Sequence, residues 1–193
     1  MAQTTKKGTL TGVKNFHYAI LTKDDKTGVE YDTPVSVAAV KEVNIKSGAS
    51  QEVMYGDDAP YDTANYINDA EVTVNLAQLP LEDYAKLLGH TVDKGVVDVK
   101  ADDTPPLVAI AFESTKTTGA KRYFKILKCR FSEPDDDYKG KESNAGFNTP
   151  SITAKVLSRE YDGKYKRMAD SDAEGFEETT ATKWYESIEP VGG

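Results

Sequence analysis

The sequence contains few of the residues from which catalytic and metal sites are usually built. It has one cysteine, Cys129, and two histidines, His17 and His90. A single cysteine cannot form an internal disulfide, which favours synthesis in a reducing, intracellular environment. Cys129 shares a predicted strand with apolar residues and is interpreted as part of the core. Neither histidine has a partner at ligand spacing, so both are interpreted as surface or edge residues.

Motifs for nucleotide binding, hydrolysis and redox chemistry are missing as well. The sequence has no Gly-Lys-Ser/Thr phosphate loop, no Gly-x-Ser-x-Gly elbow and no Cys-x-x-Cys pair. Acidic runs at residues 57–58, 135–137 and 170–172 suggest calcium binding, but none has EF-hand spacing. Solvated acidic loops are the favoured interpretation. The sequence therefore predicts a protein that is not an enzyme and has no metal site or cofactor.

Long hydrophobic runs and an excess of positive charge are also missing. No apolar run is long enough for a membrane-spanning helix, and residues 1–8 have no secretory core. The chain has 32 acidic residues against 24 Lys and Arg, a net charge of -8, which weighs against a nucleic-acid binder. One basic cluster alternates with core residues: Lys121, Arg122, Lys125, Lys128 and Arg130. This cluster would contact either phosphate or an acidic neighbour, such as another copy of the chain. The acidic neighbour is the favoured hypothesis.

What the sequence does contain is a series of short segments typical of strands. Residues 70–76 alternate, with Glu71 on the wet face. Leu107–Phe112 is apolar on both faces, which predicts a central strand. The next strand, 121–131, places four core residues on one side: Tyr123, Leu127, Cys129 and Phe131. Asp162-Gly163 predicts a hairpin. The pattern favours a mainly-β sandwich or barrel, with residues 1–193 forming a single domain.

Helix signals are confined to two places. Residues 79–89 have Pro80 in the first turn, acidic residues near the start and Gly89 as the closing residue. A second short helix is predicted around residues 182–187, where it would dock Trp184 and Tyr185.

The segment at residues 46–69 is the most unusual part of the sequence. It is predicted to be a long interstrand loop, polar and rich in turn residues, and loops of this length are usually functional or disordered. Its three tyrosines, Tyr55, Tyr61 and Tyr66, argue against disorder and for an interface. The N-terminal arm (1–11) and the acidic C-terminal segment (169–193) are expected to be flexible and to order only on assembly.

Several segments, in the same order along the chain, resemble the major tail proteins of long, flexible, non-contractile bacteriophage tails. The resemblance extends from about Gly12 to Tyr185. The segments that carry it are Gly12–Ala19, Tyr55–Ala64, Leu79–His90, Lys100–Pro106, Phe131–Pro134 and Phe147–Thr153.

The resemblance implies two packed antiparallel sheets flanked by one helix, in a subunit of six-membered rings that stack into a hollow tube. It implies a place in the virion tail, after synthesis in the bacterial cytoplasm, with tail-tip and terminator proteins at the tube ends. Tape-measure protein and DNA would pass through the lumen without specific binding. No membrane partner is expected.

Two residue sets follow as hypotheses. Contacts between subunits are assigned to Met54, Tyr55, Tyr61, Tyr66, Arg122 and Lys125. Lumen-facing acids are assigned to Asp57, Asp58 and Glu71. The alternative function is a monomeric β-sandwich binding module for a carbohydrate or receptor. It would have exposed aromatic residues clustered on one rigid face.

Overall fold

The computed structural model describes residues 8–56, 58–67, 69–135 and 149–189. The strands run in chain order as β1 (Leu10–Asp25), β2 (Gly28–Tyr31), β3 (Val35–Ser36), β4 (Val40–Lys46), β5 (Ala49–Gly56), β6 (Ala59–Ile67), β7 (Glu71–Leu76), β8 (Thr91–Asp93), β9 (Val96–Asp98), β10 (Val108–Lys116), β11 (Lys121–Phe131), β12 (Ser151–Val156) and β13 (Lys166–Asp170). The helices are α1 (Leu81–Leu88) and α2 (Glu178–Lys183).

The mainly-β, antiparallel fold class is confirmed. Nine strands form one large sheet in the order β2-β1-β10-β11-β12-β7-β4, with β13 paired to β11 and β3 to β1. Two further sheets have two strands each, β5 with β6 and β8 with β9. The large sheet does not close into a barrel. Strands β1, β7, β10, β11 and β12, together with α1, contribute buried residues to one core cluster.

Strand β10 lies at the centre of the molecule and is buried on both faces, as its sequence predicts. Val108, Ile110 and Phe112 point into the main core. Ala109 and Ala111 point the other way, into a second core. Because a strand alternates its side chains, a run that is apolar at every position needs cover on both sides.

A bulge in β11 corrects the prediction that its four core residues lie on one side. Val108 pairs with Cys129 and Ile110 with Ile126, so β11 contains one extra residue between the two pairs. An extra residue reverses the alternation of side chains along a strand. Tyr123 and Leu127 therefore lie in the second core, whereas Cys129 and Phe131 lie in the main core.

The turn at Asp162-Gly163 is present, but it does not close a hairpin. Gly163 has a φ of 69° and its N–H donates to the carbonyl of Arg159. The flanking strands β12 and β13 each pair with β11 and not with each other. The prediction of a hairpin is corrected, because β11 is long enough to pair with both strands along one edge.

Helix α1 begins after Pro80 and ends at Gly89, close to its predicted limits. Gly89 has a φ of 78° and its N–H donates to the carbonyl of Ala85. A Cβ at Gly89 would lie 2.4 Å from the carbonyl oxygen of Thr104, so this position needs glycine for space as well as for conformation. Leu87 and Leu88 enter the main core, whereas Leu81 is exposed.

The C-terminal segment, defined here as residues 171–189, is packed on the sheet. It supplies Trp184 and Ile188, which cover the second face of β10 and β11. The predicted second helix is therefore present, and the expectation of a flexible segment after residue 169 is corrected for residues 169–189. The physical reason is that these two side chains give the segment enough apolar surface to dock. The helix of this segment, α2, begins four residues earlier than the predicted start at 182.

Candidate assembly surface

The segment between β4 and β7 leaves the large sheet as a separate hairpin. Strands β5 and β6 pair with each other and, in the described part of the chain, with no other strand. Gly56 pairs with Ala59, so the chain turns over two residues, and Asp58 has a φ of 61°. Two-residue hairpin turns favour positive φ, which aspartate tolerates. The predicted long loop is therefore a regular hairpin, and the Asp57-Asp58 pair was the sequence signal for its turn.

Every side chain of this hairpin that the structure describes is exposed to solvent. Met54, Tyr55 and Tyr61 are 63%, 68% and 78% exposed, respectively, and Val53 is 36% exposed. An isolated two-stranded hairpin is marginally stable in water. Large exposed apolar side chains on such an element mark a surface for a partner. The side chain of Tyr66 and all of Asp57 lie outside the described residues.

The hairpin carries charge of one sign on one face. Met54 pairs with Asp62 and Glu52 with Ala64, so Glu52, Met54 and Asp62 share a face. The other face carries Gln51, Val53 and Thr63, which are uncharged. Between Ser47 and Asp69 the sequence has five acidic residues and no Lys or Arg. We call the side with Glu52, Met54 and Asp62 the acidic face.

The basic cluster of β11 is used mainly within the chain. Lys121 binds Glu113 with an N–O distance of 2.8 Å, and Lys128 binds Asp24 at 2.7 Å. Both guanidinium nitrogens Nε and Nη2 of Arg122 donate to the carboxylate of Asp170. This pairing lowers the pKa of Asp170 to about 2. Arg130 is exposed.

Lys125 is buried under the C-terminal segment. Its ammonium donates to the backbone carbonyls of Ser187 at 2.7 Å and Ile188 at 3.0 Å. Burial, together with the nearby charge of Arg167, lowers its pKa to about 8. Lys125 and Arg122 both bind groups of their own chain, and their assignment to contacts between subunits stays a prediction.

A second polar cluster anchors the end of the C-terminal segment. The guanidinium of Arg159, which is 2% exposed, binds Asp162 through two nitrogens and also contacts Tyr31 and Glu189. These partners come from β2, the turn after β12 and the chain beyond α2. The sequence analysis missed this cluster because its members are far apart in the sequence.

The side chain of His90 is buried, which corrects its interpretation as a surface or edge residue. Its Nδ1 lies 2.8 Å from Asp103 Oδ2, and its Nε2 lies 3.0 Å from Glu133 Oε2. The N–H of Lys100 and the His90 ring together hold the pKa of Asp103 below its usual value. The imidazole therefore joins the end of α1 to the 100–106 loop and to the end of β11.

His17 has an equally structural environment. Its ring stacks on Tyr185 with a centroid distance of 4.5 Å, and its Nδ1 is 2.9 Å from the carbonyl oxygen of Asn15. The hydroxyl of Tyr185 donates to Glu113. Burial raises the pKa of Tyr185. His17 thus helps to dock the C-terminal segment on β1.

The described residues contain no group of three or more His, Cys, Asp or Glu side chains suited to a metal ion. Burial raises the pKa of the Cys129 thiol to about 12, which opposes thiolate formation.

A groove of about 690 Å³ lies beside α1. Its lining is mainly apolar and includes Leu79, Leu81, Tyr84, Val99 and Ile152. The apolar lining makes this groove suited to contact with another protein surface.

A comparison with models of known protein families finds a match over most of the chain. The family model described as phage tail tube protein matches residues 25–186, most of the chain. The chain belongs to the phage tail tube protein family. No curated protein matches the sequence. Tail tube proteins are structural subunits of the virion tail, and the family therefore gives this chain a structural role.

Among the helices that the structure describes in this tail tube protein, none has the length and apolarity to cross a membrane. Two of the predicted lumen acids, Asp58 and Glu71, lie among the described residues and are not grouped together, whereas Asp57 lies outside them. Asp58 is exposed at the turn of the hairpin, whereas Glu71 lies at its base. Glu71 is 2.9 Å from Lys155 Nζ and 3.7 Å from Lys46 Nζ, and Lys155 lowers its pKa. Two cations thus offset the charge of Glu71.

Proposed function

We propose that this tail tube subunit assembles with copies of itself into six-membered rings that stack into a hollow tube for DNA delivery. The observation that carries the proposal is the β5–β6 hairpin, whose described side chains are all exposed in the single chain. An element that buries nothing in its own subunit gains stability only when a neighbour covers it. The family supports a place in the tail tube.

The hairpin is the proposed contact to a subunit of the adjacent ring. Eight or nine extended residues span about 27–30 Å, which is long enough to reach a neighbouring subunit. Met54, Tyr55 and Tyr61 are the proposed anchors, together with Tyr66. Aromatic side chains and methionine are enriched at interfaces because they bury a large area.

Sheet edges are the proposed contacts within a ring. The large sheet ends in β2 on one side and in β4 on the other. Unpaired strand edges favour pairing with another chain, and a closed ring would satisfy them. Tail-tip and terminator proteins would cover the surfaces that remain open at the two ends of the tube.

The net charge of -8 supports a lumen that repels DNA phosphate. DNA and the tape-measure protein would then pass without specific binding. Asp57 and Asp58 are the better candidates for lumen residues, because the charge of Glu71 is offset by Lys46 and Lys155. Replacing Asp57 and Asp58 by Asn should slow DNA ejection without preventing assembly. An unchanged ejection rate would count against the charge argument.

Electron microscopy of the purified chain over a range of concentrations tests the assembly. The unaltered chain should form hollow tubes or six-fold rings, and tail-tip complexes should be added where concentration alone does not suffice. Deleting residues 50–65 should leave a folded monomer that forms no tubes. Normal tubes from the deletion variant would contradict the proposal.

A double substitution tests the anchor side chains while leaving the backbone of the hairpin in place. Tyr55→Ala with Tyr61→Ala should abolish or strongly reduce tube formation. Tyr161→Ala is the matched control, because Tyr161 is also exposed, at 49%, but lies in the turn between β12 and β13. Light scattering should show tubes for the control and monomers for the double variant.

A further inference from the structure

The β5–β6 hairpin has few contacts that fix its direction. In the described part of the chain, β5 and β6 pair only with each other, and every described side chain of the hairpin is exposed. The direction of such an arm depends on the backbone at its base. At this base β4 leads into β5, and β6 returns to β7. We call Ser47, Gly48, Asp69 and Ala70 the joint.

The two sides of the joint cross closely, and Gly48 makes the crossing possible. Gly48 has a φ of 55°, a conformation that favours glycine. A Cβ at Gly48 would lie 2.2 Å from the carbonyl carbon of Asp69 and 2.5 Å from the backbone nitrogen of Ala70. Because both contacts are to backbone atoms, any other residue would force one side of the joint to move away from the other.

The pairing of strands is interrupted at the joint. Lys46 pairs with Glu71, whereas Ala49 pairs with Ile67. Between these two pairs the returning side therefore has one residue more than the outgoing side. An extra residue on one side of a strand pair bends the strand and increases its twist. The joint is therefore the place where the direction of the hairpin is set.

Strand β12 holds the returning side of the joint in place. The N–H of Val156 donates to the carbonyl of Ala70 at 2.8 Å, and Ala70 is 3% exposed. The ammonium of Lys155 lies 3.5 Å from the carboxylate of Asp69, but both side chains are largely exposed and such pairs contribute little. The buried backbone at Ala70 thus gives Gly48 a fixed surface to pack against.

We propose that Gly48 is a positioning residue, which directs the hairpin toward its contact on a second copy of the chain. This inference rests on the proposed function for the identity of the partner, whereas the direction of the hairpin is a property of the single chain. An arm that already points the right way binds more tightly, because it loses less conformational freedom on contact. Gly48 therefore promotes assembly without touching the neighbouring copy.

Gly48→Ala tests the crossing, and Gly119→Ala is the matched control. Gly119 lies in the turn between β10 and β11 and has a φ of 86°, but a Cβ there would meet nothing within 4 Å. Both substitutions place alanine at a positive φ, so they share the conformational cost. Only Gly48→Ala should change the direction of the hairpin. Circular dichroism and thermal unfolding verify that both variants are folded.

The distance between two spin labels measures the direction of the hairpin in the monomer. The labels are attached to Thr63→Cys on β6 and Ser151→Cys on β12, which are exposed positions, whereas Cys129 is buried. Gly48→Ala should shift or broaden the distribution of distances, and Gly119→Ala should leave it as in the unaltered chain. An unchanged distribution in Gly48→Ala would overturn the proposal.

Assembly is the second measurement. We expect the concentration needed for tubes to rise about tenfold for Gly48→Ala and to stay the same for Gly119→Ala. A shifted distribution of distances with an unchanged tube-forming concentration would overturn the positioning role. Absence of tubes from the unaltered chain would count against the proposed function, whereas the spin-label distances would still decide whether Gly48 directs the hairpin.

A one-residue insertion tests the joint without adding a Cβ. One glycine inserted between Ser47 and Gly48 makes the two sides of the joint equal in length. Because Ser47 is exposed, the insertion leaves the core strands intact and serves as the test even where Gly48→Ala does not fold. The hairpin should again change direction, and tubes should again require a higher concentration. Unaltered distances in the insertion variant would contradict the proposal.

Discussion

The ammonium of Lys125 lies 4.4 Å from the centre of the Trp184 ring. Both residues are buried, Lys125 in β11 and Trp184 directly after α2. Cation–π attraction and two hydrogen bonds to backbone carbonyls replace the water that the ammonium loses. The C-terminal segment is therefore held by a buried charge as well as by apolar packing.

We expect the titration of Lys125 to raise the free energy of unfolding of the unaltered chain, relative to that of Lys125→Met, from pH 8 to about pH 9.5. Burial lowers the pKa of Lys125 to about 8 in the folded chain, against an ordinary value of 10.5. Between these values the unfolded chain binds more protons, so a higher pH favours the folded state. The expected gain is about 1–2 kcal/mol, measured by urea unfolding at several pH values.

The control for this prediction is Lys125→Met, which removes the titrating group and keeps an unbranched side chain. The variant keeps the buried Cys129 thiol and Tyr185 phenol, whose raised pKa values oppose a gain in stability as the pH rises. The difference between the two free energies of unfolding therefore isolates Lys125, and an equal slope in both chains would show that the buried ammonium is not the cause.

Removing Trp184 should release the C-terminal segment. Trp184 is 5% exposed and packs against Tyr123, with a ring centroid distance of 5.5 Å. Large-to-small changes of this kind cost about 3–5 kcal/mol. Trp184→Ala should therefore lower the free energy of unfolding by that amount and speed tryptic cleavage after Lys183. Thr182→Ala, an exposed change in α2, should have little effect on either quantity.

Loss of the His90 imidazole should remove one hydrogen-bond partner from each of two carboxylates, Asp103 and Glu133. We expect His90→Ala to lower the free energy of unfolding by about 1–3 kcal/mol. The pKa of Asp103 should move back toward its ordinary value of 3.8, because one of its partners is gone. Nuclear magnetic resonance titration measures that shift. An unchanged pKa of Asp103 would show that the bond from the Lys100 N–H suffices.

Two glycines separate the effect of backbone conformation from the effect of space. Gly89 and Gly95 have φ values of 78° and 81°. A Cβ at Gly95 would meet nothing within 4 Å, whereas one at Gly89 would press on Thr104. Gly95→Ala should cost about 1 kcal/mol, and Gly89→Ala about 1–3 kcal/mol more. Thermal unfolding of both variants tests this order, and equal losses would contradict the crowding at Gly89.

The sequence predicted those parts of the fold that depend on local patterns. Helix α1 was found from its proline, its acidic first turn and Gly89. Strand β10 was found from its unbroken apolar run, which also indicated that both of its faces are covered. What covers the second face could not be inferred, because Trp184 and Ile188 follow β10 by about seventy residues and lie in a mainly acidic segment.

Features that depend on pairing were the ones that sequence patterns missed. The bulge in β11 became visible only from its register with β10, and it moved Cys129 and Phe131 to the opposite side from Tyr123. The charges of Arg122 and Lys125 suggested an outward role, but their partners, Asp170 and the carbonyls near residue 188, lie far along the chain. The exposed hairpin could be located from its tyrosines, although its regular structure could not.

The docking of Trp184 and Ile188 also bears on the order of events during synthesis. These side chains are translated after all thirteen described strands, whereas the hairpin of β5 and β6 is complete by Ile67. During translation the hairpin is therefore synthesised long before Trp184 and Ile188 can cover the second face of β10. The alanines of that face stay accessible until translation is nearly finished, and a truncated product would retain the hairpin without a completed body.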